Sequence, residues 1–401
     1  MKNAMWARRR RVLLCGSAAT LAAASASPAA FAAEIGDVTL TWGGYIKLDT
    51  LYSRFSDGPV VQGTGRDTYI PNQIPVAADD AEDAHTYLDF HAKETRLFLK
   101  ADTAVEGHKL GGYLEMDFIV SQGAGNESVT NAYNPGLRRA YITFDNWLLG
   151  QDWSTFQNMT AIPEVLDFIA FPTDGTVFER QPMIRYTAGN FVVALENPET
   201  TVATNGGGPA YANTDDNNVL PDFVARYNFK AAAADFTIAG LARQLVDKGQ
   251  VGGISDKAVG YGASFSGKIP LGASKNDLRF MVNGGDGIGR YLALNTVGDA
   301  VIDSDGELDT IRIFSGYVAL RHPWTDKTRS SIGVSHLSAD TDGGDLGPGA
   351  TEKVTSGFVN LLYSPVAKLT VGTELRYAER KTVAGLDGEL MRLQFSAKYS
   401  F

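Results

Sequence analysis

Beyond residue 33 no stretch of this chain stays apolar long enough for a membrane helix, yet apolar and polar residues alternate with period two from one end to the other. A spanning helix needs roughly 20 consecutive apolar residues, so no helix here crosses a bilayer. Alternation is the signature of a strand with one oily and one wet face. In ELMRLQFSAKYSF (389–401), Met391, Leu393, Phe395, Ala397, Tyr399 and Phe401 form one row. Arg392, Gln394, Ser396, Lys398 and Ser400 form the other. That run exceeds the roughly 5–6 residues of a soluble strand. It fits the about 9–11 residues of a membrane-spanning one.

The pattern repeats in LTWGGYIKLDTLY (40–52), KLGGYLEMDF (109–118), PDFVARYNF (221–229) and LTVGTELRYAER (369–380). About sixteen such segments fit the chain, an even number as bacterial barrels require. They start at 38–53, continue through spans such as 86–103 and 178–187, and end at 389–401. Their connections alternate in length. FDN (144–146), TAGN (187–190), HPWTDK (322–327) and SPVAK (364–368) are tight, whereas long polar segments lie near 54–85, 120–135, 154–177, 198–220, 245–256, 290–309 and 339–353. Short turns on one side and long loops on the other describe an outer-membrane barrel. Only helices and closed barrels satisfy every backbone hydrogen bond in lipid. The expected fold is therefore all-β: a transmembrane antiparallel β-barrel of about 16 strands. Trp42, Tyr52, Trp147, Tyr291, Trp324, Tyr363, Tyr399 and Phe401 fall near expected strand ends, where membrane interfaces enrich aromatics.

Lys2 and Arg8–Arg11 precede an apolar stretch, Val12 to Ala26, and a small-x-small site at Ala30-Phe31-Ala32. Residues 1–32 read as a secretory signal peptide and 33–401 as one barrel domain in the outer membrane of a Gram-negative bacterium. The single cysteine, Cys15, lies in the signal, so neither disulfides nor a cysteine metal site is expected. The formal net charge of −10 argues against a nucleic-acid partner. No cofactor is expected. His85, His91, His108, His322 and His336 sit in no metal or nucleophile motif, so the chain does not read as an enzyme. Asp303, Asp305, Gly306, Glu307 and Asp309 match only part of a calcium loop. An acidic outer loop is the simpler reading; binding of divalent ions shared with lipopolysaccharide is the alternative.

The chemistry concentrates in arginines. Lys47, Arg96, Arg185, Arg226, Arg376, Arg392 and Lys398 have polar phase in their strands. A charge on the lipid face costs roughly 2–4 kcal/mol at the midplane, so these side chains face the lumen. Arg138 and Arg139 are adjacent, so regular alternation admits only one. Acids such as Asp79, Asp80, Glu82, Asp83, Asp340, Asp342 and Asp345 lie in loops, which leaves an acidic chain with a basic throat. The third loop, STFQNMTAIPEVLDFIAFPTDG (154–175), is too apolar to lie exposed. Folded inward, it would narrow the pore and set Glu164 and Asp167 opposite the arginines. Rings of Arg or Lys favour anions. The competing arrangement pairs the arginines with Glu115, Asp117, Glu196 and Glu374 along the wall.

WGGYIKLD (42–49), NWLLGQDWSTF (146–156), RQPMIRYT (180–187), LENPET (195–200), LPDFVARY (220–227) and GDGIGRYL (285–292) resemble the motifs of DcaP-type trimeric outer-membrane porins. The resemblance implies a 16-stranded barrel, a homotrimer, and passive uptake of small anionic solutes such as dicarboxylates and aromatic acids. It carries Arg180, Arg185, Arg226 and Arg290 to the pore region. Some members have an N-terminal coiled coil, and none is read here. The terminal aromatic row resembles the signal read by the barrel-assembly machinery. Three other readings stand beside this one: a general non-selective porin, an outer-membrane barrel hydrolase, and a closed adhesin-like barrel.

Overall fold

A computed structural model describes residues 31–78, 83–119, 129–168, 173–203, 211–214, 218–249, 253, 255–273, 275–340 and 346–401. The proposed signal peptide, apart from Phe31 and Ala32, lies outside these residues, as do Asp79, Asp80, Glu82, Ile169, Phe171, Asp342 and Asp345. Sixteen strands form a closed antiparallel barrel. They are β1 (Val38–Phe55), β2 (two pieces, His85–His91 and Arg96–Val105), β3 (His108–Asp117), β4 (Gly136–Phe144), β5 (Trp147–Trp153), β6 (Arg180–Ala188), β7 (Phe191–Glu196) and β8 (Asp222–Ala231). The second half comprises β9 (Ala234–Lys248), β10 (Ser255–Leu271), β11 (Asn276–Asp286), β12 (Arg312–Pro323), β13 (Thr328–Ala339), β14 (Thr351–Val366), β15 (Leu369–Thr382) and β16 (Asp387–Ser400). Each pairs with its sequence neighbours, and β1 pairs with β16 over Tyr45–Phe55 and Leu390–Ser400 to close the ring. A short extra strand, Phe31–Ile35, folds back on Val38–Trp42.

Alternation decides which face meets lipid. Met391, Leu393, Phe395 and Tyr399 are exposed on the outside, while Arg392, Gln394 and Ser396 are buried inside. Trp42, Tyr52, Trp147, Trp324 and Tyr363 are likewise exposed. Tyr291 departs from this set: it is fully buried, in a loop packed within the barrel. The tight turns use left-handed backbone. Glu106 and Gly107, at φ 53° and 88°, join β2 to β3 as a primed hairpin that matches strand twist.

The structure corrects the expected strand pattern in three places. The span 86–103 is interrupted at 92–95, which swings Glu94 inward to meet Lys47. The expected span 178–187 begins only at Arg180. The segments near 198–220 and 290–309 are not wholly irregular: Thr201–Ala203, Tyr211–Asn213, Ala300–Ile302 and Leu308–Thr310 build a separate four-stranded sheet. Val202, Ala300 and Leu308 pack on Leu245 there. In the acidic stretch, Asp303 Oδ1 accepts the backbone N–H groups of Asp305 and Glu307, so its carboxylate shapes a turn.

Phe401 completes the seam. Its N–H donates to Gly44 O at 3.1 Å, and Gly44 N–H donates to Phe401 O at 3.4 Å. An open sheet edge in lipid is very costly. Deleting Phe401 is therefore expected to lower the amount of assembled, heat-modifiable barrel in the outer membrane while export is unchanged. Normal assembled levels would contradict this.

Candidate functional site

Adjacent strands on one wall carry opposite charges. Arg96 is on β2, Arg138 and Arg139 on β4, Arg185 on β6 and Arg226 on β8. Between them lie Glu115 and Asp117 on β3, Asp152 on β5 and Glu196 on β7. Arg96 pairs with Asp117 at 3.3 Å, Arg138 with Glu115 at 2.9 Å and Asp117 at 2.5 Å, and Arg139 and Arg185 with Asp152 at 2.6 and 2.8 Å. Arg226 has no ion pair among the described residues; its Nη1 donates to Gln157 O at 2.9 Å.

The strict choice between Arg138 and Arg139 does not hold. A β-bulge opposite Glu115 and Met116 leaves Arg138 as an extra residue, because Arg139 pairs in register with Glu115 and Leu137 with Met116. A bulge re-aims side chains, and both guanidiniums come within 4.0 Å of Glu115. Aromatics share this inner face. Tyr113 stacks on Phe98 and on Tyr141, with centroids 5.9 and 5.2 Å apart. Arg139 lies over Tyr113 at 4.7 Å, and Arg96 and Lys398 each lie 5.4 Å from the Tyr45 ring. The sequence reading had not connected these inward aromatics.

The 154–179 connection makes contacts around much of the remaining wall. Thr155 and Gln157 accept from Arg226, and Asn158 donates to Ser266. Ala161 O accepts from Tyr317, and Ile162 O from Arg279. Leu166 N–H donates to Glu374, and Leu166 O accepts from Lys47 and Gln394. Ile162 and Phe168 bury themselves with Ile119, which takes these apolar side chains of the loop out of water.

Glu164 meets different arginines from those expected. It accepts from Arg329 Nε at 2.8 Å and from Arg321 Nε at 3.2 Å. Burial alone would raise its carboxyl, but Arg329 and Arg321 outweigh that and hold it below its ordinary 4.5. A carboxyl depressed by its partners contributes its stabilisation above its ordinary pKa and loses it as pH falls through the lower one. The pair thus persists through neutral and mildly acid pH. Glu164→Gln imitates the protonated form at neutral pH; it leaves Arg329 without a carboxylate and Arg321 with only Asp277, at 3.8 Å. An increased anion preference is expected, read as a shifted reversal potential; an unchanged potential would contradict it.

The other predicted residues fall into two further groups. Asp167, Arg376 and Arg392 gather behind the 56–84 connection, and Lys47 lies beside them, donating to Leu166 O. Lys47 bonds Glu94 at 2.5 Å; Arg376 pairs with Glu374 at 3.0 Å. Arg392 bonds Ser53 at 2.8 Å and lies 3.9 Å from Asp167, which also accepts from Thr68 and the Tyr69 N–H. Arg376 and Arg392 are 2 % and 1 % exposed, so they are enclosed ion pairs and do not line an open passage. Arg180 and Arg290 form the third group; Arg180 lies near Arg96, Glu115, Asp117 and Arg138 of the ladder but makes no ion pair among the described residues. Arg180 shares register with Trp153, on the opposite face from Gln181, Met183 and Arg185. Arg290 sits on the short helical turn Gly289–Tyr291 and pairs with Glu179 at 3.7 Å and Asp222 at 3.9 Å. These departures have one cause: alternation reports strand phase, but not what the loops place over each face.

The family model of the DcaP outer membrane protein matches residues 40–401. The chain belongs to the DcaP outer membrane protein family. This DcaP-family barrel is accordingly a protein of the Gram-negative outer membrane. It is similar to the outer membrane channel DcaP of Acinetobacter baumannii, at 24% identity and TM-score 0.74, covering 93% of this chain and 100% of that one. Its fold is also similar to an anion-selective porin from Comamonas acidovorans, at 11% identity and TM-score 0.53, covering 91% and 100%. Salmonella typhi OmpF aligns at 10% identity and TM-score 0.54, covering 92% and 100%. No curated protein sequence matches.

Proposed function

We propose that this outer-membrane porin passes small anionic solutes, dicarboxylates or aromatic acids, through a throat between the β2–β8 wall and the third loop folded into the lumen. One observation carries the reading: five arginines on even-numbered strands against four carboxylates on odd-numbered ones, with stacked aromatics beside them. Fixed charges in confined water bias passage toward counter-ions. The excess is small, so the preference is moderate and weakens as salt rises. The aromatic faces give planar acids an additional surface, with Arg139 and Arg96 beside it.

The working unit in this reading is a homotrimer, matured by the barrel-assembly machinery and surrounded by lipopolysaccharide. Native mass spectrometry in mild detergent checks the assembly: three copies are expected, and a monomer contradicts it. Single-channel recording across a salt gradient tests the transport reading. Anion-over-cation permeability supports it; no preference returns the chain to a general porin, and no conductance to a closed barrel.

A further inference from the structure

Five inward cations lie outside the β2–β8 wall, at the tight-turn ends of the second-half strands. They are Lys268 on β10, Arg279 on β11, Arg321 on β12, Arg329 on β13 and Lys398 on β16, each within three residues of that end of its strand. All five are half-buried. They share the phase of Ser266, Met281, Ala319, Ser331 and Ser396, which are buried inside. Register and side-chain bonds join them into one arc. Lys268 stands opposite Arg279, and Arg321 opposite Asp277. Arg329 donates to Ser364 Oγ at 2.9 Å, the Ser364 and Thr370 hydroxyls are 2.9 Å apart, and Thr370 stands opposite Lys398.

Two carboxylates pair with the arginines of this arc. Asp277 holds Arg279 at 2.5 Å and Arg321 at 3.8 Å; Glu164 holds Arg321 at 3.2 Å and Arg329 at 2.6 Å. Lys268 and Lys398 make no hydrogen bond or ion pair among the described residues. Lys398 lies near Glu94 and Glu164 but pairs with neither. Each lysine also faces another cation across its strand pair, Lys268 facing Arg279 and Lys398 facing Lys47. Like charges directly opposite each other destabilise a sheet. Nothing in the fold itself therefore favours these two ammonium groups where they stand.

We propose that the arc is a second anion station, at the periplasmic exit, where Lys268 and Lys398 receive the carboxylate of a solute that has passed the third loop. It rests on the anion-passing function above and adds a step to it on the opposite wall. Short turns face the periplasm in outer-membrane barrels, which sets the side. An ammonium on a flexible stem is a compact charge that follows a moving carboxylate, unlike the planar arginine forks of the β2–β8 wall. Fixed charge gathered at one mouth raises the local anion concentration there and makes the two directions of passage unequal.

The test records single channels of the protein purified from the outer membrane, with malonate added to one side of a planar bilayer at a time. Asp326→Cys, in an exposed tight turn, marks the turn side through a bulky thiol reagent; Cys15, the only cysteine of the chain, lies in the proposed signal peptide. At low salt, malonate is expected to reduce the current at about threefold or more lower concentration from the turn side than from the loop side. Lys268→Gln/Lys398→Gln is expected to abolish that difference, and Lys268→Arg/Lys398→Arg, which keeps the charge, to retain it. The glutamine pair relieves two like-charge contacts, so assembly at wild-type levels is expected. Should it fail to assemble, Lys398→Gln alone carries the test and is expected to reduce the difference. No side difference in wild type, or an equal one in wild type and the glutamine variant, overturns the exit station. An anion-over-cation reversal potential in the same wild-type channels would then leave the proposed function standing. Wild-type channels without anion preference overturn that function and the station with it.

Discussion

Replacing Arg185 and Arg226 together by Ala is expected to lower anion preference and make the single-channel current noisier. The first effect follows from charge. Asp152 retains Arg139 at 2.6 Å when Arg185 is lost, and Arg226 has no ion pair to release. Two positive charges therefore leave the wall and no negative charge leaves with them. The permeability ratio of anion to cation should fall about twofold or more at low salt and converge toward wild type as salt screens the field. The second effect follows from contacts. Arg185 Nε donates to Thr155 Oγ1 at 2.9 Å, and Arg226 donates to the Thr155 and Gln157 carbonyls. Both arginines therefore also hold the start of the third loop. Arg185→Lys/Arg226→Lys separates the roles, because lysine keeps the charge but not the planar fork. Near-normal selectivity with raised noise is expected from the lysine pair. An unchanged reversal potential in the alanine variant, with assembly intact, would make these arginines wall ion pairs without a part in selectivity.

The barrel was legible because a membrane makes period-two alternation nearly obligatory. Arg226 between Ala225 and Tyr227 can face only one way without placing a charge in lipid, and the structure puts Tyr227 outside. The same rule could not read Arg138 and Arg139, since one inserted residue suspends alternation locally. It also could not separate Arg185 from Arg376. Both face inward, but Arg376 lies under the Tyr69 ring at 5.0 Å and the 56–84 connection closes over it. Loop position depends on contacts between residues hundreds of positions apart, such as Leu166 with Glu374, and no local pattern encodes them. The excess of Ile, Leu and Phe in the third loop goes with the burial of Ile162, Leu166 and Phe168. The 287–311 loop was less legible: Tyr291 looked like an interface aromatic, and only its contacts with Asp222 and Gln181 show it as part of the packed interior.

That interior gives the largest expected stability effect, for Arg243→Met. The Arg243 side chain is fully enclosed. It pairs with Asp299 at 2.8 Å and Asp222 at 3.2 Å and also donates to Glu199 O. Asp299 in turn accepts the Arg290 N–H at 2.8 Å and the Thr201 N–H and hydroxyl, each at 2.9 Å. One guanidinium thus joins β9, the 198–203 segment and the 287–311 loop. Methionine fills similar volume but leaves buried Asp299 without its cation and Asp222 with only Arg290, at 3.9 Å, a loss of about 3–5 kcal/mol in comparable sites. The barrel ladder does not pass through these contacts, so the cost falls on the loop. Limited proteolysis should open the 287–311 segment in assembled Arg243→Met, while heat-modifiable barrel remains. The triple change Arg243→Met/Asp222→Asn/Asp299→Asn removes the stranded charges and should recover part of the protection. Equal protease resistance in wild type and Arg243→Met would show that the loop is held by its apolar packing on Val177 and Val202 and not by this ion-pair network.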